Sequence, residues 1–538
     1  MSRSSLSQGI LIILWLIVVL AKGAPSTTGA SNCTDVNVSK RASTFNNPIF
    51  WEDLADLDVI RVGTTYYYSA STMHYSPGAP LLQSFDLINW EFIGHSVPSL
   101  DFGDPGDYDL TTGRAYVRGI WASSIKFRES TNTWYWIGCV DFSRTYVYTS
   151  PAPTGPWVQR SIISTCYYDA GLLIDDTDTM YVAYGSTTIN VAQLSSDGLS
   201  QVSTQPVFTS TVGAIEGSRF YQRNGNYYIL NDLPATSEYV AMSTSGPFGP
   251  YTTRGLTLSP VTPIPDAGFP HQGGLIDTPE GNWYYMAFND AYPSGRVPVL
   301  MPITWSSDGW PSAELGSGNT WEATYPLPLP TVTVASPVGT DTFTSIGPNW
   351  EWNHNPDTTK FSISNGLKLG TATVTSDLYS ARNTITHRIL GPKANGTIEL
   401  DVSGMANGDR AGLAMLRDTS AYIAINDASG AKTIEMVNGL TMNTTGWTTT
   451  STGSVVQSAT FSGNTIYLRC TADIQPAGTQ SAVFSYSTDG TTFRTLGNAL
   501  KLNPDWEFFM AYRFGIFNFA MQALGGSVTV KSFTMEPA

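Results

Sequence analysis

This sequence predicts an all-β chain, a five-bladed β-propeller followed by a β-sandwich, and three observations carry that expectation. Only 13% of the 538 residues are charged, about half the roughly 25% usual in soluble proteins, while Gly (49), Pro (32) and aromatic side chains (12%) abound. One pattern of short apolar strand, polar turn and aromatic strand recurs five times in the first three hundred residues. Beyond it a Pro-rich stretch gives way to strands of alternating polarity.

In chain order, the first element is a leader. Arg3 precedes an apolar run from Ile10 to Ala21 that leads into Ala21-Lys22-Gly23, with small residues where a signal peptidase reads. The run is too short to cross a bilayer comfortably. Residues 1–23 are therefore expected to be a signal peptide, and the protein to be secreted. Lys40-Arg41 offers a processing site, which would make 24–41 a propeptide and Ala42 the mature start. Sequons at Asn32, Asn37, Asn395 and Asn443 fit an extracellular glycoprotein. Four cysteines are too few for a disulfide scaffold, and Cys139 with Cys166 reads either as a bridge or as two buried thiols.

The propeller is expected over 42–325. Its five copies open on Asp56, Trp121, Asp169, Glu216 and His271, which lie 65, 48, 47 and 55 residues apart. Such spacing holds about four short strands with their turns, one blade, and a blade buries both faces only between neighbours. Asn224-Gly225, Glu280-Gly281 and Asp176-Thr177-Asp178 supply hairpin turns. The first strand of a blade lines the central channel, so the five opening residues should converge at one mouth. Open strand ends commonly carry polar residues. Three carboxylates, a Trp and a His at equivalent points of five copies exceed that habit.

Tyr325-Pro-Leu-Pro-Leu-Pro330 begins a linker, 326–340, that stays extended. From 341 to 538, alternating strands such as Gly396-Thr-Ile-Glu-Leu-Asp-Val402 read as the β-sandwich. The excess of 43 Asp+Glu over 28 Lys+Arg leaves a net charge of −15, which repels phosphate backbones and anionic bilayers. Neither nucleic acid nor membrane is an expected partner.

Convergent carboxylates suit glycosidic hydrolysis, which needs an acid to protonate the leaving oxygen and a base or nucleophile on the other face of the sugar. Glu titrates near ~4.3 in solution, so an acid still protonated at working pH requires a rise of about one to two units. Burial and a neighbouring carboxylate both push that way.

The stretch Asn47-Pro-Ile-Phe-Trp-Glu-Asp-Leu-Ala-Asp56-Leu-Asp-Val-Ile-Arg-Val-Gly63 resembles the opening of family 43 glycoside hydrolases. So do Pro77-Gly-Ala-Pro80, Gly119-Ile-Trp-Ala122, Ile215-Glu-Gly217 and Gly309-Trp-Pro311, and the resemblance covers most of 45–330. The C-terminal part resembles the sandwich appended to β-xylosidase and α-L-arabinofuranosidase members. The resemblance implies Asp56 as general base, Asp169 as pKa modulator and Glu216 as general acid of an inverting reaction, with the base and acid carboxyls roughly 6.5–9.5 Å apart. Asp58 is a rival base, set farther from the channel mouth. Trp121 resembles a family position that walls the sugar pocket, and Tyr168, beside Asp169, reads as lining the same pocket. Arg296 looks like the family arginine that contacts substrate hydroxyls and nearby acids. His271, in Pro-His-Gln-Gly-Gly, matches a histidine that in some members binds calcium directly or through water. Packing is the competing reading for Trp121, Tyr168 and His271, and a surface ion pair for Arg296.

No cofactor is required for this chemistry, so calcium would be structural. In the sandwich, Ala511-Tyr-Arg-Phe-Gly-Ile-Phe-Asn-Phe-Ala520 is expected to feed the core, the competing idea being a loop that closes one side of the pocket. The expectation is a secreted monomeric hydrolase that takes terminal pentoses from plant polysaccharide. An α-L-arabinofuranosidase acting on arabinoxylan is preferred, because Trp350-Glu-Trp-Asn-His-Asn355 and Asp377-Leu-Tyr-Ser-Ala-Arg-Asn383 resemble segments of arabinoxylan-debranching members. A β-xylosidase acting on xylo-oligosaccharides and a non-catalytic carbohydrate-binding propeller are the alternatives.

Overall fold

Five four-stranded antiparallel sheets stand around one axis in the computed structural model, which describes residues 43–538. The expected signal peptide, the processing site at Arg41, Cys33 and the sequons at Asn32 and Asn37 lie outside the described residues. The innermost strands are Asp58–Val62, Ile120–Arg128, Gly171–Ile174, Glu216–Arg223 and Pro270–Asp277. Each touches the innermost strands of both neighbours, and the last meets the first, so the ring is closed. These are the strands that the repeat predicts to line the channel.

Local chemistry explains the hairpins. Asn224 and Gly225 both adopt positive φ (51° and 78°), the geometry a two-residue turn needs to match strand twist. Aromatic second strands such as Trp283–Asp290 fill the wedges between blades. The ends of the ring are tied by Thr44–Asn46, which pairs antiparallel with Thr324–Pro326. Beside that pair, Asn47 donates its amide to the carbonyls of Leu300 and Glu322 and accepts from the Leu300 N–H. Cys139 and Cys166 form a disulfide, which anchors the segment leading to Tyr168 and Asp169 to blade 2. Cys470 is a free thiol buried in the sandwich core.

After Thr324–Pro326 the Pro-rich stretch runs along blade 1, where the Val332 and Ala335 N–H groups donate to Asp86 and Glu91. The C-terminal part is two stacked sheets around a common apolar core. One sheet has nine strands and is centred on Lys393–Asp401 and Ser527–Pro537. The other has eight, and one of its edge strands is not its own. Tyr75–Ser76, from blade 1, pairs with Trp352 and Asn353, so a single sheet runs from the sandwich into the propeller.

The seam is also polar. Glu351, fully buried, receives Arg388 (2.8 Å), Arg513 and, across the boundary, His95 at 3.0 Å. Asp53 accepts from the backbone N–H of Arg296 in blade 5 and of Ala511 in the sandwich, each at 2.9 Å. The seam thus reaches within one residue of the site described next.

Candidate active site

The five opening residues do meet, and the reason is a repeated departure from regular strand geometry. Asp56 and Asp169 stand two residues ahead of their strands with φ of 55° and 52°. This left-handed conformation costs roughly 1–2 kcal/mol for most residues, and short polar side chains such as Asp tolerate it best. In blades 2, 4 and 5 a register shift interrupts the innermost strand beside the site residue, between Ile120 and Ser123, Glu216 and Arg219, and His271 and Gly274. Such bulges re-aim a side chain out of the ladder. Gly217 (φ 67°) has no room for a side chain, because a Cβ there would lie 2.6 Å from both Asp232 and Gln272.

The result is a cavity of about 760 Å³ lined by Asp56, Trp121, Tyr168, Asp169, Glu216, His271 and Arg296, together with residues of both domains. All seven side chains singled out from the sequence line it. Asp58 does not. Its carboxylate is buried deeper in the channel, accepting from Ser124 Oγ (2.6 Å), the Ile125 N–H (3.0 Å) and Lys126 Nζ (3.1 Å).

Each carboxyl has its own setting. Asp56 accepts from Arg296 Nη1 at 2.9 Å through one oxygen and from Ser71 Oγ at 2.6 Å through the other. Glu216 accepts from the Tyr168 hydroxyl at 2.5 Å. Burial, then repulsion from Asp232 and Asp56, raises the Glu216 pKa above the ordinary carboxylate range, against the pull of Tyr168 and Arg296. Asp169 accepts from the Gly217 N–H at 3.0 Å, and burial with repulsion from Glu216 and Asp56 raises its pKa as well. A buried carboxyl beside others of like charge favours its protonated form.

Two acids unremarked in the sequence complete the site. Asp232 and Asp290 close the second strands of blades 4 and 5, and His271 sits between them, Nδ1 3.0 Å from Asp232 and Nε2 3.2 Å from Asp290. Burial opposes protonation of His271, yet these two acceptors outweigh it and push its pKa up to about 10. Each ring nitrogen thus faces a carboxylate oxygen, so the imidazole is held from both sides. No group of three or more His, Cys, Asp or Glu poised to hold a metal occurs among the described residues.

The wall is an arc of rings. Tyr168, Phe142, Trp121, Phe509 and Trp506 follow one another with centroid separations of 5.8, 5.2, 4.6 and 5.3 Å. The last two belong to the sandwich, whose Pro476, Gln480 and Pro504 also line the cavity. Arg296 lies 5.3 Å from the ring of Phe288 and 5.0 Å from that of Phe509. Both expectations for the aromatic sandwich segment have a counterpart: Arg513–Ala520 is a wholly buried strand, and the loop before it closes the pocket. Trp350–Asn353 and residues 377–383 do not line the cavity. They belong to the seam, where Asn353 donates to the Tyr116 hydroxyl and Asp377 accepts from Arg114.

Comparison with known proteins agrees with this construction. Residues 45–311 match the model of glycosyl hydrolases family 43, and 340–536 match the beta xylosidase C-terminal concanavalin A-like domain. A Formosa agariphila protein named beta-xylosidase is 27% identical over 563 residues, 92% of this chain and 90% of its own. A non-reducing end alpha-L-arabinofuranosidase of Bacteroides ovatus is 28% identical over 347 residues, 60% of this chain and 63% of its own. One solved structure is 47% identical, covers 92% of this chain and 100% of its own, and superposes with a TM-score of 0.89. It is described as a family 43 glycoside hydrolase whose engineered active site displays both endo-xylanase and exo-arabinofuranosidase activity. Matched across its propeller and its sandwich alike, this chain belongs to glycosyl hydrolases family 43.

Proposed function

We propose that this glycoside hydrolase is a secreted, inverting α-L-arabinofuranosidase that removes arabinose side chains from arabinoxylan. In this reading a water held by Asp56 attacks the anomeric carbon and gives its proton to that carboxylate. The bond to the leaving oxygen breaks as Glu216 transfers its proton there, and the configuration inverts. The observation that carries the reading is the unequal setting of the two carboxyls. Asp56 is charge-paired with Arg296, as a base should be, while Glu216 is pushed toward its acid form. Asp169 accepts from the Gly217 N–H and so fixes the backbone beside that acid, and the indole of Trp121 offers a face for sugar C–H surfaces.

The 47% identical structure and the B. ovatus relative support arabinose as the sugar released. The F. agariphila relative supports the second reading, a β-xylosidase, since both sugars are pentoses distinguished by pocket shape. Release of arabinose from singly and doubly substituted arabinoxylan fragments, with xylobiose as the competing substrate, separates the two. Asp56→Asn and Glu216→Gln are each expected to lower kcat on these fragments by about 10²–10⁴-fold while sugar binding persists. NMR of the first-formed anomer checks inversion. Wild-type turnover in either variant would overturn the assignment of roles.

A further inference from the structure

One buried cation lies directly beneath the carboxyl cluster. Arg219 is 1% exposed and does not line the cavity, yet its guanidinium donates four hydrogen bonds, all to backbone carbonyls. Nη2 reaches the carbonyl of Asp56 at 2.7 Å and Nε that of Leu57 at 2.8 Å. Nη1 reaches Ala170 at 3.1 Å and Ser218 at 3.0 Å. The acceptors are Asp56 itself, its neighbour, the residue after Asp169 and the residue two beyond Glu216. One side chain therefore clasps the backbone of the three blades that carry the three carboxyls. The backbone there is in sparsely populated conformations, with positive φ at Asp56, Asp169 and Gly217, which persist only when the surroundings over-determine them.

The local sequence makes this reach feasible. Gly171 presses on the backbone of blade 4, where a Cβ would lie 2.7 Å from the Ser218 carbonyl and 2.9 Å from Arg219 Cα. Asp58 supplies the counter-charge, its carboxylate 4.0 Å from Arg219 Nε. No other residue type offers five N–H donors in a fixed planar fork.

We infer that Arg219 is a positioning residue, which sets the spacing between Asp56, Asp169 and Glu216 by holding their backbones on one rigid guanidinium. It acts through those residues and touches no substrate. The inference rests on the roles proposed above, so Asp56→Asn and Glu216→Gln serve as controls. Near-wild-type hydrolysis in those two would sink the role assignment rather than the clasp.

The test compares Arg219→Met, which keeps bulk without donors, and Arg219→Lys, which keeps charge without the fork, in the full-length enzyme well below its unfolding temperature. Near-ultraviolet circular dichroism selects the folded variants. A displacement near 1 Å is expected to lower kcat on arabinoxylan fragments about 100-fold in Arg219→Met, and less in Arg219→Lys, with inhibition by free arabinose changed by less than about threefold. A dinitrophenyl arabinofuranoside, whose leaving group needs no proton, should restore Glu216→Gln but not the Arg219 variants, because in them the base is displaced as well. Should Arg219→Met not fold, Arg219→Lys decides on the same readouts. Three results would overturn the inference: turnover within about threefold of wild type in a folded variant, full recovery on the activated substrate, or arabinose binding lost in step with kcat.

Discussion

Tyr168 is where the acid strength of the site is trimmed. Its hydroxyl stabilises the ionised form of Glu216, the form that cannot donate. Activity is lost as pH rises through the Glu216 pKa, so Tyr168→Phe should carry the basic limb of kcat/KM to higher pH. A pH–rate profile on an aryl arabinofuranoside checks this, and a limb that stays put or moves to lower pH would refute it. The convergence of Asp56, Asp169 and Glu216 on one cavity was legible in the sequence because a fivefold repeat makes equivalent positions recognisable without coordinates. Asp232 and Asp290 were not. They sit at the ends of second strands, and only strand register brings the first of them opposite Glu216 and both of them onto His271. Nor does the sequence show that His271 lies between two carboxylates. A histidine alone in a motif does not reveal that both of its nitrogens are occupied.

At the level of elements, the loop between Leu500–Lys501 and Arg513–Ala520 has a structural account of its own. Arg417, fully buried, donates to the carbonyls of Asn503, Asp505 and Met510, and the Tyr292 hydroxyl from blade 5 donates to that of Phe509. Held this way, Trp506 stands 56% exposed at the rim, with Phe142 of blade 2 at 58% further along the arc. Trp506→Ala should raise KM for arabinoxylan about three- to tenfold, the worth of one aromatic contact, and leave kcat on a small aryl glycoside unchanged. Initial rates on both substrates test it, and equal effects on the two would count against a rim role. Sequence periodicity favoured the strand and left the loop as the competing idea, because alternation describes a buried strand well and is silent about the turn before it.

For the molecule as a whole, the seam imposes a pH dependence distinct from that of catalysis. Burial pushes the Glu52 carboxyl up to about 7, against the pull of Arg388 and Arg513, and its Oε2 has no hydrogen-bond partner among the described residues. A folded-state pKa above the unfolded value means stability that is fully present below about 4.5 and lost as pH rises through about 7, on the order of 3 kcal/mol. Glu52→Gln, neutral throughout, should therefore melt higher than the wild type at pH 8 and alike at pH 4.5. Thermal unfolding at the two pH values decides it, and a variant less stable at pH 8 would contradict the account. The two-part architecture was readable from repeat and linker. The strand Tyr75–Ser76 that joins the parts was not, since two residues carry no periodicity. The segments around Trp350 and Asp377, read as marks of the preferred sugar, turn out to fasten the seam.

That the reaction chamber has walls from two domains has a consequence for how its specificity can be altered. The carboxyls stand on the ring, while part of the rim is lent by a neighbour whose loop is tied down at Phe509 and Ala511 but reaches solvent at Trp506. Changes confined to that exposed tip should therefore alter which branched polymer the cavity admits while the carboxyls keep their places.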